Sequence, residues 1–543
     1  MEPTRRDLVK GVAALGLTGL PAASLALETR TAPPDVMRPP DLVRAFGADG
    51  EIHLESRGGA WSGGGVEVGY RAGALTLNAS VPVTRVHLRW RGDVHGRFLG
   101  DHWERSYADL GWRGEMPGRP MPWSFLVHDG RSTHGVGVMT GARAMCFWAA
   151  DAEGISLWAD VRSGGVPVRL GDRTLAVATV VRVSGGEAFD TQRALCRAMC
   201  PAPRLADHPI YGTNDWNYAY GNNSAELIAG VGALVSELSP DAANRPYSVI
   251  DDGWSSGGRL GHGPWVGNER FGDMGAFAAR LKGLGLRPGL WFRPLTKLPG
   301  QPDSWLSSRD KDTLDPTVPE VREHVAAHFR RFRDWGYEMV KHDFTTWDIL
   351  GRWGFGMGAT ITNDGWRFHD DTKTTAEVLL DLYATIREAA GPMRLLGCNT
   401  VGQLTAGTHE AQRTGDDTSG RSWDRTRRMG VNTLAFRAAQ QGTFFTVDPD
   451  IVALTDAIPW SLNRQWLDLV SRSGAALFVS VQPGIGAEQK AALRAALARA
   501  AKPQAVAEPL DWLETDNPRR WRLDGRKFDF AWMGEAGPSP FGD

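Results

Sequence analysis

Short apolar runs that end abruptly in charged or amide residues recur through the second half of the chain. The largely apolar run at 337–340, for example, ends in Lys341, His342 and Asp343. A buried parallel strand has this pattern where its carboxyl end opens into a polar site. Runs of this kind predict eight strands, at 210–214, 247–251, 287–292, 338–342, 394–398, 411–414, 443–447 and 475–479.

Segments with apolar residues at helical spacing separate these predicted strands. They include the stretches 225–238, 277–284, 318–335 and 376–389, and a further one at 487–501 follows the last strand. Helices that alternate with eight parallel strands predict a (β/α)8 TIM barrel over residues 205–502. A doubly wound open sheet is the alternative, but no glycine-rich phosphate-binding loop follows any predicted strand.

The regions that flank the barrel have a different texture. Residues 46–204 alternate apolar and polar positions with period two, which predicts a β-sandwich domain, and the proline-rich stretch 27–45 predicts a linker. Three strand-like runs at 504–512, 519–523 and 527–532 predict a short C-terminal β element within 503–543. The chain is therefore predicted to be a multidomain α/β and β protein with a central TIM barrel.

The N-terminus has the pattern of an export signal rather than of a folded element. Arg5 and Arg6 form a twin-arginine pair, followed by an apolar run at 11–20 and small residues up to Ala26. That run is too short to span a bilayer permanently, so residues 1–26 are predicted to be a Tat-type signal peptide. The alternative is a membrane anchor. A periplasmic or secreted protein is predicted, without stable membrane insertion after signal removal.

Composition narrows the classes of partner. The 61 Lys and Arg against 63 Asp and Glu give a net charge of −2, which provides no basic field for nucleic acid. The four cysteines are too few for a disulfide framework. The 22 tryptophans are the compositional outlier, and the enzymes that stack indoles on sugar rings are often rich in this residue.

Two carboxylates on different strand ends could perform acid, base and nucleophilic work. A retaining glycosidase needs one carboxylate to attack and one carboxylic acid to donate a proton, about 5 Å apart. Asp343 is the predicted nucleophile, because Lys341 projects from the same face of the strand and favours its ionised form. Asp417 is the predicted acid/base and Asp416 the second choice, and Arg413 is expected to pair with a carboxylate or bind a hydroxyl.

Other strand ends supply hydroxyl acceptors and indoles. Asp251 and Asp252 are predicted to accept hydrogen bonds from sugar hydroxyls, with Trp254 covering the apolar face of the sugar. Further substrate-binding residues are expected where the first and third strands end, namely Asp215, Trp216 and Trp291. The competing interpretation is a divalent-cation site made by Asp251 and Asp252 with Asp448 or Asp450.

Six motifs at successive strand ends, taken together, resemble the clan D retaining α-galactosidases, glycoside hydrolase families 27 and 36. They lie at 211–217, 249–254, 289–291, 341–344, 413–417 and 448–450, within a similarity that extends over about 205–515. The β region before the barrel is similar to the sandwich of family 36.

The resemblance implies a double-displacement mechanism without a cofactor. It implies Asp343 as nucleophile, Asp417 as acid/base, and Asp251, Asp252 and Lys341 as residues that hold galactose hydroxyls. At the end of the fifth strand, this chain has Cys398 and Asn399 where relatives usually have other residues. In those relatives, this region contacts the C2 substituent of the sugar.

The predicted function is that of an exported exo-glycosidase acting on terminal α-D-galactosides of an oligosaccharide or polysaccharide. Two alternatives keep the mechanism and change the sugar, to α-N-acetylgalactosaminide or β-L-arabinopyranoside. A metal-dependent barrel hydrolase and an inactive carbohydrate-binding protein are the alternatives from other classes. The oligomeric state is left open.

Overall fold

The computed structural model describes residues 33–241, 243–257, 263–534 and 537. The predicted signal peptide, residues 1–26, lies outside the described residues. No helix in the described part of the chain is long and apolar enough to cross a membrane.

Two antiparallel sheets form the predicted β-sandwich. Alternation along the strands divides their two faces: Val66, Val68 and Tyr70 are buried, whereas Glu67 and Arg71 are exposed. In spatial order the first sheet contains Gly50–Ile52, Leu42–Gly47, Arg85–Arg91, Gly154–Asp160, Met145–Asp151 and Met121–Pro122. The second contains Glu55–Arg57, Ala60–Gly63, Val66–Arg71, Ala74–Ala79, Leu175–Gly185, Thr133–Val138, Ser124–His128 and Arg97–Gly100.

The first sandwich strand begins earlier than the sequence predicts. Leu42–Gly47 starts inside the predicted linker 27–45 and pairs with Arg85–Arg91. Val43 and Ala45 are buried in the sandwich core, so the alternation that defines the domain already begins within this proline-rich stretch.

The barrel is a closed ring of parallel strands, as predicted. Its strands are Tyr211–Asn214, Tyr247–Ile250, Arg287–Phe292, Met339–His342, Arg394–Gly397, Ala411–Arg413, Thr446–Asp448 with Ile451–Leu454, and Leu477–Val481. Each is hydrogen-bonded in parallel to its neighbour, and the last pairs with the first, Leu477 opposite Tyr211.

The seventh barrel strand is split, and its second half is missing from the sequence prediction at 443–447. Thr446–Asp448 pairs with the sixth strand, and Ile451–Leu454 pairs with the eighth. Between them lie Pro449 and Asp450, the latter in the left-handed conformation with φ 75°. Proline cannot donate to a β-ladder, so the pairing changes partner at this point.

Helices cover the outside of the barrel, and several of them begin at side-chain caps. Ser224 accepts a hydrogen bond from the Leu227 N–H, and Thr374 forms a capping box with Glu377. The helices are Ala188–Met199, Trp216–Ala219, Ala225–Leu238, Met274–Gly283, Pro319–Asp334, Thr345–Leu350, Thr375–Ala390, Gly402–Thr405, Trp423–Thr426, Asn432–Arg437, Trp460–Arg472 and Ala487–Ala500. Short 3-10 helices lie at Asp303–Trp305, Gly354–Gly356 and Ala438–Gln440, and a five-residue π-helix lies at Arg427–Val431.

A small antiparallel sheet follows the barrel. It consists of Glu508–Pro509, Arg520–Leu523 and Arg526–Asp529, and buries Trp521 and Leu523. Only two residues of the run predicted at 504–512 are extended strand. All four cysteines of the chain are free thiols and buried.

Candidate active site

Three N–H groups converge on the carboxylate of Asp343, directly after the fourth barrel strand. Trp291 Nε1 donates to Oδ2 at 3.1 Å, and the backbone N–H groups of Phe344 and Asn399 donate to Oδ1 at 2.7 and 3.1 Å. Phe344 has φ 64°, the left-handed conformation that turns its N–H back onto the aspartate. N–H groups donate and cannot accept, so this environment suits an ionised carboxylate.

Lys341 lies on the same strand but contacts a different acid from the one the sequence suggests. Its Nζ is 2.6 Å from Asp251 Oδ2, which also accepts a hydrogen bond from Asn214 Nδ2 at 2.8 Å. Burial lowers the pKa of Lys341, but the charges of Asp251 and Asp343 outweigh it and raise that pKa overall. A buried, permanently charged ammonium group therefore lies between the ends of the second and fourth strands.

The carboxylate of Asp215, at the end of the first strand, supports the ion pair between Lys341 and Asp251. Asp215 Oδ1 accepts from the backbone N–H of Asp251 at 2.8 Å, and its Oδ2 accepts from Asn223 Nδ2 at 2.9 Å. Burial and the neighbouring charge of Asp251 raise the pKa of Asp215 to about 7. Asp252 is also buried, and its Oδ1 accepts from the Gly253 N–H at 2.8 Å.

The candidate acid/base is held by arginines. Arg413 is buried and bridges two carboxylates, Asp417 at 3.0 Å and Asp450 at 2.8 Å. Burial raises the pKa of Asp417, but Arg413, Arg105 and Lys341 together outweigh this and hold it well below the usual range. In the protein without substrate, Asp417 is consequently in its base form.

Asp416 shares Arg105 with Asp417 and has a second arginine of its own. Its carboxylate contacts Arg105 at 3.0 Å and Arg425 at 2.9 Å. Both of its oxygens are therefore engaged by guanidinium groups, which is the arrangement of a structural ion pair.

The sandwich domain reaches this site, which sequence reasoning missed. Ser106 N–H donates to Thr414 O and Asp416 N–H donates to Ser106 O, both at 2.9 Å, so the segment 104–107 pairs with the end of the sixth barrel strand. Its neighbour Glu104 accepts from Asn399 Nδ2 at 2.5 Å, and burial raises the pKa of this glutamate. The only sequence signal is that residues 101–120 lose the period-two alternation of the surrounding strands.

The residues at the end of the fifth strand are part of the wall of the site. Asn399 is fully buried, and its side chain is shared between Glu104 and the backbone N–H of Trp347. The Sγ of Cys398 lies 3.7 Å from Arg413 Nη1, and burial raises the pKa of this thiol.

The tryptophans predicted to contact sugar occupy three different environments. Trp254 is fully buried, donates to Trp291 O at 3.0 Å and packs against Trp265 and Phe332, so it belongs to the hydrophobic core and presents no face to a sugar. This corrects the prediction that it covers a sugar face. Trp291 orients Asp343. Trp216 is half-buried at the end of the first strand, with its ring edge-on to Tyr220.

Two of the four acids of the competing cation site have basic partners instead. Asp251 contacts Lys341, and Asp450 contacts Arg413. Burial raises the pKa of Asp448, Arg413 opposes this and the charge of Asp450 adds to it, so that the pKa is raised to about 6. In the described part of the chain, no three His, Cys, Asp or Glu side chains are grouped as ligands for a metal ion.

Comparison with known proteins gives matches at the level of structure. No protein-family model and no curated protein sequence matches the chain. The α-galactosidase TtGalA from Thermus thermophilus, solved with p-nitrophenyl α-D-galactopyranoside, superposes with a TM-score of 0.60 at 19% identity, over 90% of this chain and 98% of that one. The family 36 α-galactosidase AgaA from Geobacillus stearothermophilus gives 0.59 at 12% identity, over 88% and 78%.

The chain shares the fold of these α-galactosidases. The galactosidase domain of the α-galactosidase–sucrose kinase AgaSK also superposes, with a TM-score of 0.54 at 14% identity over 84% of this chain and 73% of that domain. The family 36 resemblance predicted from the motifs is therefore confirmed at the level of fold, including the β-rich domain before the barrel.

Proposed function

We propose that the protein is a retaining exo-glycosidase that hydrolyses terminal α-D-galactosides, with Asp343 as nucleophile and Asp417 as acid/base. The observation that carries this proposal is the set of three N–H donors on Asp343, which orients its carboxylate at the mouth of the barrel. Active sites of TIM-barrel enzymes lie at this end of the strands.

The proposed reaction has two displacement steps. Asp343 attacks the anomeric carbon while Asp417 gives a proton to the leaving oxygen, and a covalent glycosyl-enzyme forms. Asp417, now a carboxylate, then removes a proton from water, which attacks the anomeric carbon and releases the sugar and Asp343. The pairing with Arg413 and Arg105 favours the base form that this second step requires.

The first step needs a protonated Asp417, so substrate has to change its surroundings. A sugar hydroxyl bound to Arg413 would draw that guanidinium away from the carboxylate and raise the proton affinity of Asp417. Arg413 remains neutralised by Asp450, which is buried beside it. We infer that binding the sugar converts Asp417 from its base form to its acid form.

Recognition of the sugar is assigned to the buried polar groups of the first, second and fourth strands. Asp251, Asp252 and Lys341 offer acceptors and donors to neighbouring hydroxyls, and Asp215 fixes the backbone that carries the two aspartates. Galactose is favoured because TtGalA was solved with an aryl α-galactoside and with stachyose, and an AgaA variant with raffinose. Oligosaccharides of this kind are the proposed substrate class.

The α-N-acetylgalactosaminide and β-L-arabinopyranoside alternatives differ only in the sugar. Asn399 replaces the usual fifth-strand residue. Its side chain donates a hydrogen bond to Glu104 and accepts one from the backbone N–H of Trp347. It is also fully buried, so it presents no exposed amide to an acetamido group, which favours the galactoside. Export through the Tat route is proposed from Arg5 and Arg6, with a periplasmic or secreted location.

Turnover of a panel of p-nitrophenyl glycosides tests the proposal. Wild-type protein is expected to hydrolyse the α-D-galactopyranoside, and Asp343→Asn to lose at least about three orders of magnitude in kcat, as removal of a catalytic nucleophile does. Asp49→Asn, which alters an exposed acid in the turn between the sandwich strands Leu42–Gly47 and Gly50–Ile52, serves as the matched control.

Three outcomes would contradict this proposal. Full activity in Asp343→Asn would refute the nucleophile, and loss of activity on chelation would favour the metal-dependent hydrolase. Sugar binding without turnover of any glycoside by the wild type would favour a carbohydrate-binding protein.

A further inference from the structure

Four aromatic side chains gather at the rim of the candidate site, between the nucleophile and the acid/base. This rim aromatic cluster consists of Tyr107, Trp347, Trp353 and Phe355. Trp347 and Trp353 stack with ring centroids 5.0 Å apart, and Tyr107 meets Phe355 edge-on at 5.1 Å.

The cluster is connected to both catalytic carboxylates. Phe344, which follows Asp343, packs edge-on against Trp353 with centroids 5.5 Å apart. On the other side, the guanidinium of Arg105 lies 5.5 Å above the Trp353 ring and also pairs with Asp417. The cluster therefore adjoins the residues that contact both candidate catalytic carboxylates.

The loop 353–358, which carries Trp353 and Phe355, is held to the sandwich domain by three hydrogen bonds. Gly354 N–H donates to Glu104 Oε1 at 2.7 Å and to the Tyr107 hydroxyl at 3.2 Å, and Trp103 Nε1 donates to Gly358 O at 2.9 Å. A Cβ at Gly354 would lie 2.7 Å from the Glu104 side chain, so the close approach requires glycine. The loop is preorganised, which reduces the entropy lost on binding a ligand.

Phe355 is exposed in spite of this anchoring. It is 68% exposed, the largest value among the exposed large hydrophobic residues of the described chain. An aromatic ring exposed to water on an anchored loop near buried polar residues is typical of a surface that covers the apolar face of a ligand.

We propose that the rim aromatic cluster is the subsite for the sugar residue next to the scissile bond, with the apolar face of that pyranose ring lying on Phe355 and Trp347. This inference rests on the proposed function and deepens it: the substrate is a galactosyl oligosaccharide, and the aglycone contributes to binding. Tyr107 and Trp353 support the two contacting rings.

Calorimetric binding to Asp343→Asn protein tests the subsite without turnover. Melibiose, in which galactose carries a second pyranose, is expected to bind about tenfold more tightly than galactose. Phe355→Ala and Trp347→Ala are each expected to reduce that ratio at least about threefold and to leave the affinity for galactose unchanged, as loss of one aromatic contact predicts. Met116→Ala, at an exposed apolar residue outside the cluster, is the matched control and should keep the ratio.

The results separate this proposal from the function on which it rests. Galactose binding with no advantage for melibiose, or an advantage that survives both substitutions, would refute the subsite alone. Absence of galactose binding would refute the proposed function, and the subsite with it. Thermal unfolding of the Phe355→Ala protein checks that folding is intact, which its exposure predicts.

Discussion

Each candidate catalytic side chain depends on a small number of directed contacts with its neighbours. Asp343 has three N–H donors, and one of them comes from the indole of Trp291. Asp417 has two guanidinium partners, Arg413 at 3.0 Å and Arg105 at 3.5 Å. The two acids thus differ in kind: one is surrounded by neutral donors and the other by positive charge, which favours the ionised form of Asp417, whereas a proton donor needs a raised pKa.

Removing the indole N–H from Asp343 should impair catalysis without unfolding the protein. Trp291→Phe keeps an aromatic ring in the buried position but deletes the hydrogen bond to Oδ2. A hydrogen bond to a charged group contributes about 1.5–3 kcal/mol, so kcat is expected to fall roughly 10- to 150-fold. Steady-state kinetics measures this. Trp335→Phe, on a helix outside the barrel, is the control, and an equal loss there would contradict the role of Trp291.

The buried acid Asp215 should make stability depend on pH. Its pKa is raised to about 7 by burial and by Asp251, whereas that of an aspartate in an unfolded chain is about 3.9. Between these values the folded protein holds a proton that the unfolded chain has released. The stabilisation is therefore complete below about pH 4 and is lost as pH rises through about 7.

Urea denaturation from pH 5 to pH 8 checks this dependence. Asp215→Asn cannot titrate, so the wild type should lose free energy of unfolding relative to the variant as pH rises. A difference between the two proteins that stays constant over this range would contradict the raised pKa.

Among the secondary-structure elements, the split seventh strand is the part of the barrel that is tied most closely to the site. Asp450, at the break, accepts from Thr418 N–H at 2.6 Å and from its hydroxyl at 2.8 Å, and pairs with Arg413. Asp450→Ala leaves a buried guanidinium without this partner, which costs about 3–5 kcal/mol. Asp450→Asn keeps an acceptor and tolerates positive φ, so its loss should be smaller.

Chemical denaturation of the two Asp450 variants measures the contrast. Equal losses of unfolding free energy in the alanine and asparagine variants would show that the retained acceptor and the tolerance of positive φ contribute nothing at this break.

Local sequence pattern was sufficient for most elements and failed where long-range contacts decide. The helix at Ala225–Leu238 has the predicted bounds, because its apolar spacing and its Ser224 cap lie within the segment itself. The run 451–454 is as apolar as the other strands, but the change of pairing partner at Asp450 is set by the closed barrel.

The site residues divide in the same way, into those that the local sequence predicts and those that depend on contacts distant in sequence. The ends of the strands could be read from sequence because parallel strands deliver their last residues to one edge. Trp254 follows such an end, and only the packing of Phe332 and Trp265 against it shows that it is core. Glu104 and Arg105 could not be found, since they come from another domain and nothing local links them to Asn399 or Asp417.

At the scale of the whole molecule, the sandwich domain contributes side chains to the candidate site. Asp101 of the 101–120 segment pairs with Arg437, with Arg437 Nε 2.8 Å from Oδ1, and Arg105 reaches Asp417. The positive charges that face Asp417 come from three places: Arg413 on the sixth strand, Lys341 on the fourth and Arg105 from the sandwich. Asp416 shares Arg105, and Asp450 shares Arg413.

Removing the charge contributed by the sandwich should shift the pH dependence of catalysis. Arg105 favours the ionised form of Asp417, and the first step requires the protonated form. Arg105→Gln is therefore expected to move the alkaline limb of the kcat profile to higher pH by about one unit, the low end of the effect of a neighbouring opposite charge.

Two variants control for effects on folding and on Asp416. Arg105→Lys keeps the charge and should restore the wild-type limb, while Arg425→Gln removes an arginine that pairs with Asp416 and should leave the limb in place. An alkaline limb that does not move in Arg105→Gln would show that the sandwich contributes packing alone.

Covalent trapping tests most directly which atom attacks the sugar. Protein incubated with an activated 5-fluoro-α-galactosyl fluoride should accumulate a glycosyl-enzyme that turns over slowly, and peptide mapping by mass spectrometry should locate the sugar on Asp343. A label on any other side chain, or an active preparation that is inhibited without acquiring a label, would contradict the account.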